Sequence, residues 1–333
     1  MLKRVFLIVV LLIQVGCSEK TGENKMRESN ESRPFYTVKI KNVNVKVFII
    51  LNGETIFKDY SKYSINLEVP VNQWISSGEN TLEVKLLAYN DTDFKFLPKA
   101  ESSISLRVKE FGEFDTEPLT LSQIIYYRGE TTESTKEGSY DFNSSLQEGT
   151  VSVFKLGKVS FSKRQGRKVN GLILRQKITL KTPFPRWKFL DSDKIIEGNY
   201  FDLNESEYYR IRPREDIEAL YEVHQKIYNS LKKGDVDSII DLFDERCEEM
   251  DIAMYKEKGY YKKTIYEALE KNVNDGSMEM LSFDKDSYFF QVSEGGKTAY
   301  IKKSILFNKK DGSMNTRYDL LFRKEGNKWV LTR

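Results

Sequence analysis

From Tyr36 onward, apolar residues fall on alternate positions: Tyr36, Val38 and Ile40, then Val43, Val45, Val47 and Ile49. That period is the mark of strands with one buried face. Phe48-Ile49-Ile50-Leu51 runs into Asn52-Gly53, and Thr55-Ile56-Phe57 follows. Asn-Gly between apolar runs predicts a two-residue type I′ hairpin turn, because both residues tolerate positive φ. Ile65, Leu67, Val69 and Leu82, Val84, Leu86 predict two more strands. Ile104 to Val108, Val151 to Phe161 and Leu172 to Leu180 predict others. Short strands separated by turn residues, with no helical period among them, predict an antiparallel β-sandwich.

The period changes at Arg212-Pro213-Arg214-Glu215-Asp216, which is read as a domain junction. Ile217, Leu220, Tyr221, His224, Ile227, Tyr228 and Leu231 follow i, i+3, i+4 spacing, predicting an amphipathic helix stopped by Gly234. Asp235 is expected to cap a second helix that carries Ile239, Ile240, Phe243 and Cys247 on one face. A third helix is expected from Thr264 to Asn272. Strands then follow at Met278 to Phe283, Ser287 to Val292, Thr298 to Phe307, Thr316 to Arg323 and Lys328 to Leu331. The predicted fold class is mainly β plus α+β: a sandwich over 35–212, then helices packed on an antiparallel sheet over 213–333. A length of 333 residues suits two cores of ordinary size.

Ahead of both regions stand Lys3-Arg4, the apolar run Val5 to Ile13, and Gln14-Val15-Gly16-Cys17. A short positive segment, a short apolar run and small residues at a cut site predict a signal peptide over 1–16. Such a run rises about 14 Å as a helix, well short of the roughly 30 Å of bilayer hydrocarbon. Val15-Gly16-Cys17 resembles the lipobox of bacterial lipoproteins, with Gln14 where that pattern usually has Leu. The resemblance implies acylation of Cys17, including palmitate, and a cell-envelope location. Ser18 in place of Asp implies the outer membrane, facing the periplasm, if the cell is Gram-negative. The polar stretch from Ser18 to Pro34 is expected to act as a tether, giving a lipidated segment over 17–34.

Composition narrows the classes further. There are 53 Lys and Arg, of which Lys3 and Arg4 leave with the leader, against 50 Asp and Glu. The remainder is close to neutral, so nucleic acid is not an expected partner. With Cys17 lipidated, Cys247 has no partner for a disulfide, and a single histidine excludes clustered Cys/His metal sites. No metal and no cofactor are expected.

Two resemblances concern fold. Val47 to Gly53, followed by Trp74 and Gly78-Glu79-Asn80-Thr81-Leu82-Glu83-Val84, looks like the jelly-roll sandwiches attached to some glycosidases. The helix pair, the hairpin at Lys309-Lys310-Asp311-Gly312 and the closing Gly326-Asn327-Lys328-Trp329-Val330-Leu331 resemble the nuclear-transport-factor-two-like, cystatin-like cone superfamily. That resemblance implies a cone-shaped pocket, used for catalysis in some members and for binding or dimerisation in many.

Candidate ligand contacts are Phe184, Arg186 and Trp187 in the loop Pro183 to Trp187, and Tyr221, His224 and Tyr228 on one helix face. Trp and Arg are favoured interface anchors, although a strand-end loop packing on the sandwich explains the first three as well. His224 is the one weak catalytic candidate, since imidazole titrates near neutral pH; its plainer reading is a core histidine. The basic stretch Lys163 to Lys168 reads as a solvated hairpin tip or an anionic-lipid contact. The expected function is a non-catalytic, membrane-anchored binding protein for a protein or glycan, toxin immunity included. Two alternatives stand beside it. One is an enzyme using the cone pocket with His224 as general base, and the other a structural envelope component that homodimerises through its C-terminal sheet.

Overall fold

The structure is a computed structural model that describes residues 32–60, 63–87, 100–113, 115–127, 130–134, 140–141, 152–162, 168–195, 214–283, 289–302, 304–312 and 315–333. The leader, Cys17, the tether up to residue 31, the basic stretch 163–167 and the junction at 212–213 lie outside the described residues. The fold is mainly β with a few helices, as the sequence pattern predicts.

The first region contributes β1 (Pro34–Val43), β2 (Lys46–Leu51), β3 (Glu54–Asp59), β4 (Ile65–Pro70), β5 (Gly78–Leu87), β6 (Glu101–Glu110) and β7 (Leu119–Tyr127). After these come β8 (Glu130–Ser134), β9 (Tyr140–Asp141), β10 (Ser152–Ser162) and β11 (Lys168–Lys181). One sheet has the order β4-β1-β6-β7-β8, the other β10-β11-β5-β2-β3. Pairing is antiparallel throughout both, except that the short β9 joins β11 in parallel. Alternation places Tyr36, Val38 and Ile40 of β1 and Ile104 and Leu106 of β6 in one core with Val47, Ile49 and Leu51 of β2 and Leu82, Val84 and Leu86 of β5. Each such side chain contributes roughly 1.5–3 kcal/mol on burial. Gln176 interrupts the apolar face of β11, and its Nε2 donates to the Gln123 carbonyl of the opposite sheet at 3.2 Å. Asn52 and Gly53 turn β2 into β3 with φ of 53° and 87°, the type I′ geometry expected of Asn-Gly.

A short helix α1 (Lys188–Asp191) leaves the sandwich, and α2 (Arg214–Lys232) opens the second region. Its stop is a Schellman motif: Gly234 N–H reaches the Leu231 carbonyl at 3.0 Å and Asp235 N–H the Ser230 carbonyl at 2.9 Å. Gly234 supplies the required positive φ of 77°. Asp235 caps the next segment as expected, its Oδ1 accepting from Ser238 N–H at 3.1 Å. That segment, however, is not one continuous α-helix. It begins as a turn and a 3-10 helix at Ile240–Phe243 and becomes α3 only at Asp244–Ala253. Spacings of three and four residues bring Val236, Ile239 and Phe243 into one core together. The third helix is α4 (Tyr260–Asn274), and buried Asp251 accepts from Gly259 and Tyr261 N–H at its start, at 2.6 and 2.9 Å. A carboxylate there also offsets the positive end of the helix dipole.

The remaining strands are β12 (Met278–Met280), β13 (Phe289–Val292), β14 (Thr298–Lys302), β15 (Ile305–Lys309), β16 (Asn315–Tyr318), β17 (Phe322–Glu325) and β18 (Lys328–Leu331). Both long strands expected from the sequence are thus broken in the middle. Ile305 pairs with Tyr318, yet Ala299, six residues back, pairs with Phe322, only four residues on. The unequal arms bend the hairpin, as an extra residue in a strand does. Its tip, β15-β16, pairs with β12, while its base, β14-β17, pairs with β13 and β18. One bent ladder therefore appears as a three-stranded and a four-stranded sheet, around a core of Leu220, Ile227, Phe243, Ile301, Phe307 and Phe322.

Candidate functional site

The loop Pro183 to Trp187 closes one end of the sandwich. Phe184 is buried and meets Tyr36 edge-on, with ring centroids 6.1 Å apart; Trp187 and Tyr255 lie 5.8 Å away. Trp187 is fully buried, and its indole N–H donates to the Ile75 carbonyl at 2.6 Å. These two rings belong to the core and present no face to a ligand. Arg186 is exposed and pairs with the equally exposed Asp191 at 2.6 Å, a contact that contributes little in water.

Tyr221, His224 and Tyr228 meet around one ring from outside the helix. Tyr221 stacks on Phe283 at 4.8 Å, Tyr228 lies 5.9 Å from it and His224 6.4 Å. His224 is fully buried and also packs on Phe322 at 4.8 Å. Its Nδ1 lies 2.9 Å from the Leu220 carbonyl one turn earlier. A carbonyl only accepts, so Nδ1 carries the proton and Nε2 holds a lone pair, which has no partner among the described residues. Burial pushes the imidazole down to about 4, the Leu220 contact opposing it only in part. The ring is neutral at pH 7 and too weakly basic to take a proton there efficiently. The two candidate groups sit in separate cores, so the structure does not bring Phe184 and Trp187 together with the helix residues.

What the sequence pattern leaves unannounced is a buried polar seam between the two regions. The residues Glu83 and Lys85 occupy the outward face of β5 and are both buried, with Arg175 of β11 paired to Glu83 and Glu294 of the loop at 293–296 paired to Lys85. Lys85 Nζ reaches Glu294 at 2.6 Å and Glu83 at 3.3 Å. Glu54 is buried beside them, accepting from the Thr298 hydroxyl at 2.8 and 2.9 Å. Burial raises its carboxyl to about 7, against the hydrogen bonds from Ser293 and Thr298 and the charge of Arg333. Asn72 ties the regions again, its Nδ2 donating to the Ala253 carbonyl at 2.7 Å while its Oδ1 accepts from Tyr36 N–H.

Arg333 forms the other half of the seam. Its guanidinium lies 4.8 Å from the Phe189 ring, 5.2 Å from Trp74 and 5.6 Å from Trp187. It pairs with Glu249 of α3 and donates to the Gln73 carbonyl at 2.9 Å. Glu249 accepts from Lys188 N–H at 2.9 Å as well. One turn earlier on α3, Glu245 takes a two-pronged bond from Arg323, both contacts at 2.7 Å. Planar guanidinium–carboxylate pairing of this kind fixes orientation as well as distance. The signal for this seam in the sequence is faint: acidic residues one turn apart on a helix read as a solvated face.

The chain matches no family model, no curated protein and no solved structure. Among the described residues, no group of three or more His, Cys, Asp and Glu is placed to hold a metal ion. Chemically, the neutral dry imidazole and the core aromatics support packing, and the seam supports a fixed relation between the two regions.

Proposed function

We propose that the protein is a lipid-anchored envelope lipoprotein that binds a partner and catalyses no reaction on it. The observation that carries the non-catalytic part is His224. Its Nδ1 is engaged by its own helix, its ring is enclosed by Phe283 and Phe322, and its pKa of about 4 suits neither general base nor general acid at neutral pH. The polar seam supports a binding body of fixed shape, which lowers the ordering cost of association. The anchor rests on Lys3-Arg4, the apolar run and Val15-Gly16-Cys17. No helix among the described residues is long and apolar enough to cross a membrane. Several acyl chains would hold the protein on a bilayer, at about 0.8 kcal/mol per buried methylene.

The test uses the full chain in its native envelope. Metabolic labelling with a palmitate analogue should mark the wild type and not Cys17→Ser, which should appear in the soluble fraction. Crosslinking followed by purification should recover a stoichiometric protein or glycan. Unlabelled wild type, or recovery of the protein alone, would count against the reading.

A further inference from the structure

The chain that leads back to Cys17 joins the folded body beside the end of α3, and close contacts hold it there. Tyr255 Oη donates to the Pro34 carbonyl at 2.9 Å. The Arg33 guanidinium lies 4.8 Å from the Phe111 ring and 4.9 Å from the Tyr255 ring. Its backbone N–H donates to Glu110 at 2.7 Å. Arg33 stands sixteen residues after Cys17, and a chain of that length spans at most about 55 Å fully extended. This end of the body is therefore the end held nearest to any lipid that Cys17 carries.

The surface at this point is the connection from α3 to α4. Ile252 is 48% exposed and Tyr260 38%. Lys256 and Lys258 between them are exposed, and so is Lys263 in the first turn of α4. Residues 252–263 carry four lysines against one acid, Glu257. Neighbouring carboxylates neutralise this only in part. Asp241 and Asp244 hold Lys262 at 2.7 and 2.6 Å. The pairs Lys258–Glu248 and Lys263–Glu267 are long, at 3.8 and 3.9 Å, and exposed pairs contribute little in water. Lys256 Nζ lies over the Tyr260 ring at 5.0 Å. Asp251 fixes the turn from below, its carbonyl accepting from Lys256 N–H at 2.8 Å and its carboxylate from Gly259 and Tyr261 N–H. An exposed aliphatic side chain, a tyrosine and lysines on apolar stems are the groups that settle where lipid headgroups meet hydrocarbon.

We propose that the α3–α4 connection, through Ile252, Lys256, Lys258, Tyr260 and Lys263, seats the body on an anionic bilayer surface beside the anchor. The lysines meet the negative headgroups, Ile252 and Tyr260 enter the boundary, and attachment at Arg33 keeps the patch at high local concentration there. The proposal rests on the lipid-anchored reading for that proximity. It turns the opposite end of the sandwich away from the membrane, where Asn42 pairs with Ile65 and the 76% exposed Tyr63 precedes β4.

The mature full-length lipoprotein is reconstituted into vesicles of phosphatidylcholine, alone or mixed with phosphatidylglycerol. An environment-sensitive fluorophore is placed on Ile252→Cys or, as control, on Tyr63→Cys, Cys247 being buried. Position 252 should show blue-shifted emission and several-fold protection from aqueous iodide in the mixed vesicles only, and position 63 neither. About 1 M sodium chloride, where the screening length falls to about 3 Å, should reverse the effect. Lys256→Glu combined with Lys258→Glu should abolish it at an unchanged melting temperature, each lysine lost weakening the seating about fivefold. Equal signals in both vesicles, equal protection at the two positions, or a shift untouched by charge reversal would overturn the surface. A shift that needs added envelope protein, or that grows with protein density in the membrane, would put a partner or a second copy there and overturn it as well. Mass spectrometry of the same preparation keeps the two readings apart. An unmodified Cys17 sinks the anchor, and co-sedimentation of that protein with the mixed vesicles, expected for the wild type and lost on charge reversal, still decides the surface.

Discussion

Gly53 and Gly295 meet backbone to backbone across the seam. The Gly295 N–H donates to the Gly53 carbonyl at 2.8 Å, and a Cβ on Gly53 would stand 2.7 Å from Gly295 Cα. The Asn-Gly turn is therefore also a docking point, where the tip of the β2-β3 hairpin touches the loop between β13 and β14. Gly295→Ala should destabilise the protein by about 1–3 kcal/mol, because its Cβ would stand 3.0 Å from Gly53 Cα and backbone must move. Gly53→Ala should cost more, since its φ of 87° adds a left-handed penalty of about 1–2 kcal/mol. Urea unfolding midpoints check both, and two unchanged midpoints would mean that the contact carries no energy.

Arg333 and Glu249 are both nearly solvent-free. Removing one member of such a pair strands the other charge, so Glu249→Ala should cost about 3–5 kcal/mol. Replacing both, with Arg333→Met and Glu249→Leu, should cost less than Glu249→Ala alone, because no charge is then left unpaired. A double-mutant cycle on thermal unfolding reads the coupling. Additive losses would show that the two side chains act independently.

The sandwich was legible because its strands obey a period of two with one apolar face, and Asn52-Gly53 announces its own turn. The helix ending at Gly234 was legible for the same local reason. The broken strands were not, because the break follows from which neighbour each half pairs with, and nothing local to Lys303 or Asp319 states that. The seam was hidden differently. Glu54, Glu83 and Lys85 sit at polar positions of alternating strands, where the pattern says only that they face away from the first core. That a second region covers them depends on contacts more than two hundred residues away in sequence, such as Lys85 with Glu294. The loop at Phe184 and Trp187 shows the limit on the functional side. Aromatics beside an arginine serve a core or an interface equally well, and only their burial tells which.

Glu54 gives the seam a dependence on pH. Its folded pKa of about 7 lies above the ordinary 4.5, so the folded state binds the proton more tightly than the unfolded chain. Its contribution is fully present below pH 4.5 and is lost as pH rises through about 7, a change of about 3 kcal/mol at most. Arg333 opposes the shift and Glu294 reinforces it. Glu54→Gln mimics the protonated form and should be more stable than the wild type at pH 8 but equal to it at pH 4.5. Melting temperatures at the two pH values check this; a variant that loses the same stability at both would show that Glu54 is already ionised throughout.

His224 works in the opposite direction over nearly the same range. Its folded pKa of about 4 lies below the ordinary 6.5, so the unfolded chain takes up the proton first and stability falls as pH drops from 6.5 towards 4. The full change is about 3 kcal/mol. It should nearly cancel the gain from Glu54, leaving the wild type with a flat profile between pH 7 and pH 4.5 as far as these two groups are concerned. His224→Phe keeps an aromatic ring between Phe283 and Phe322 while removing the titration. It should therefore unmask the stabilisation from Glu54, so that this variant becomes more stable on mild acidification where the wild type does not. Combining His224→Phe with Glu54→Gln should flatten the profile again, and unfolding free energies at half-unit pH steps resolve all four proteins. A His224→Phe profile parallel to that of the wild type would mean that the imidazole titrates normally in the folded state. It would then be reached by water, and the general-base reading of His224 would have to be reopened.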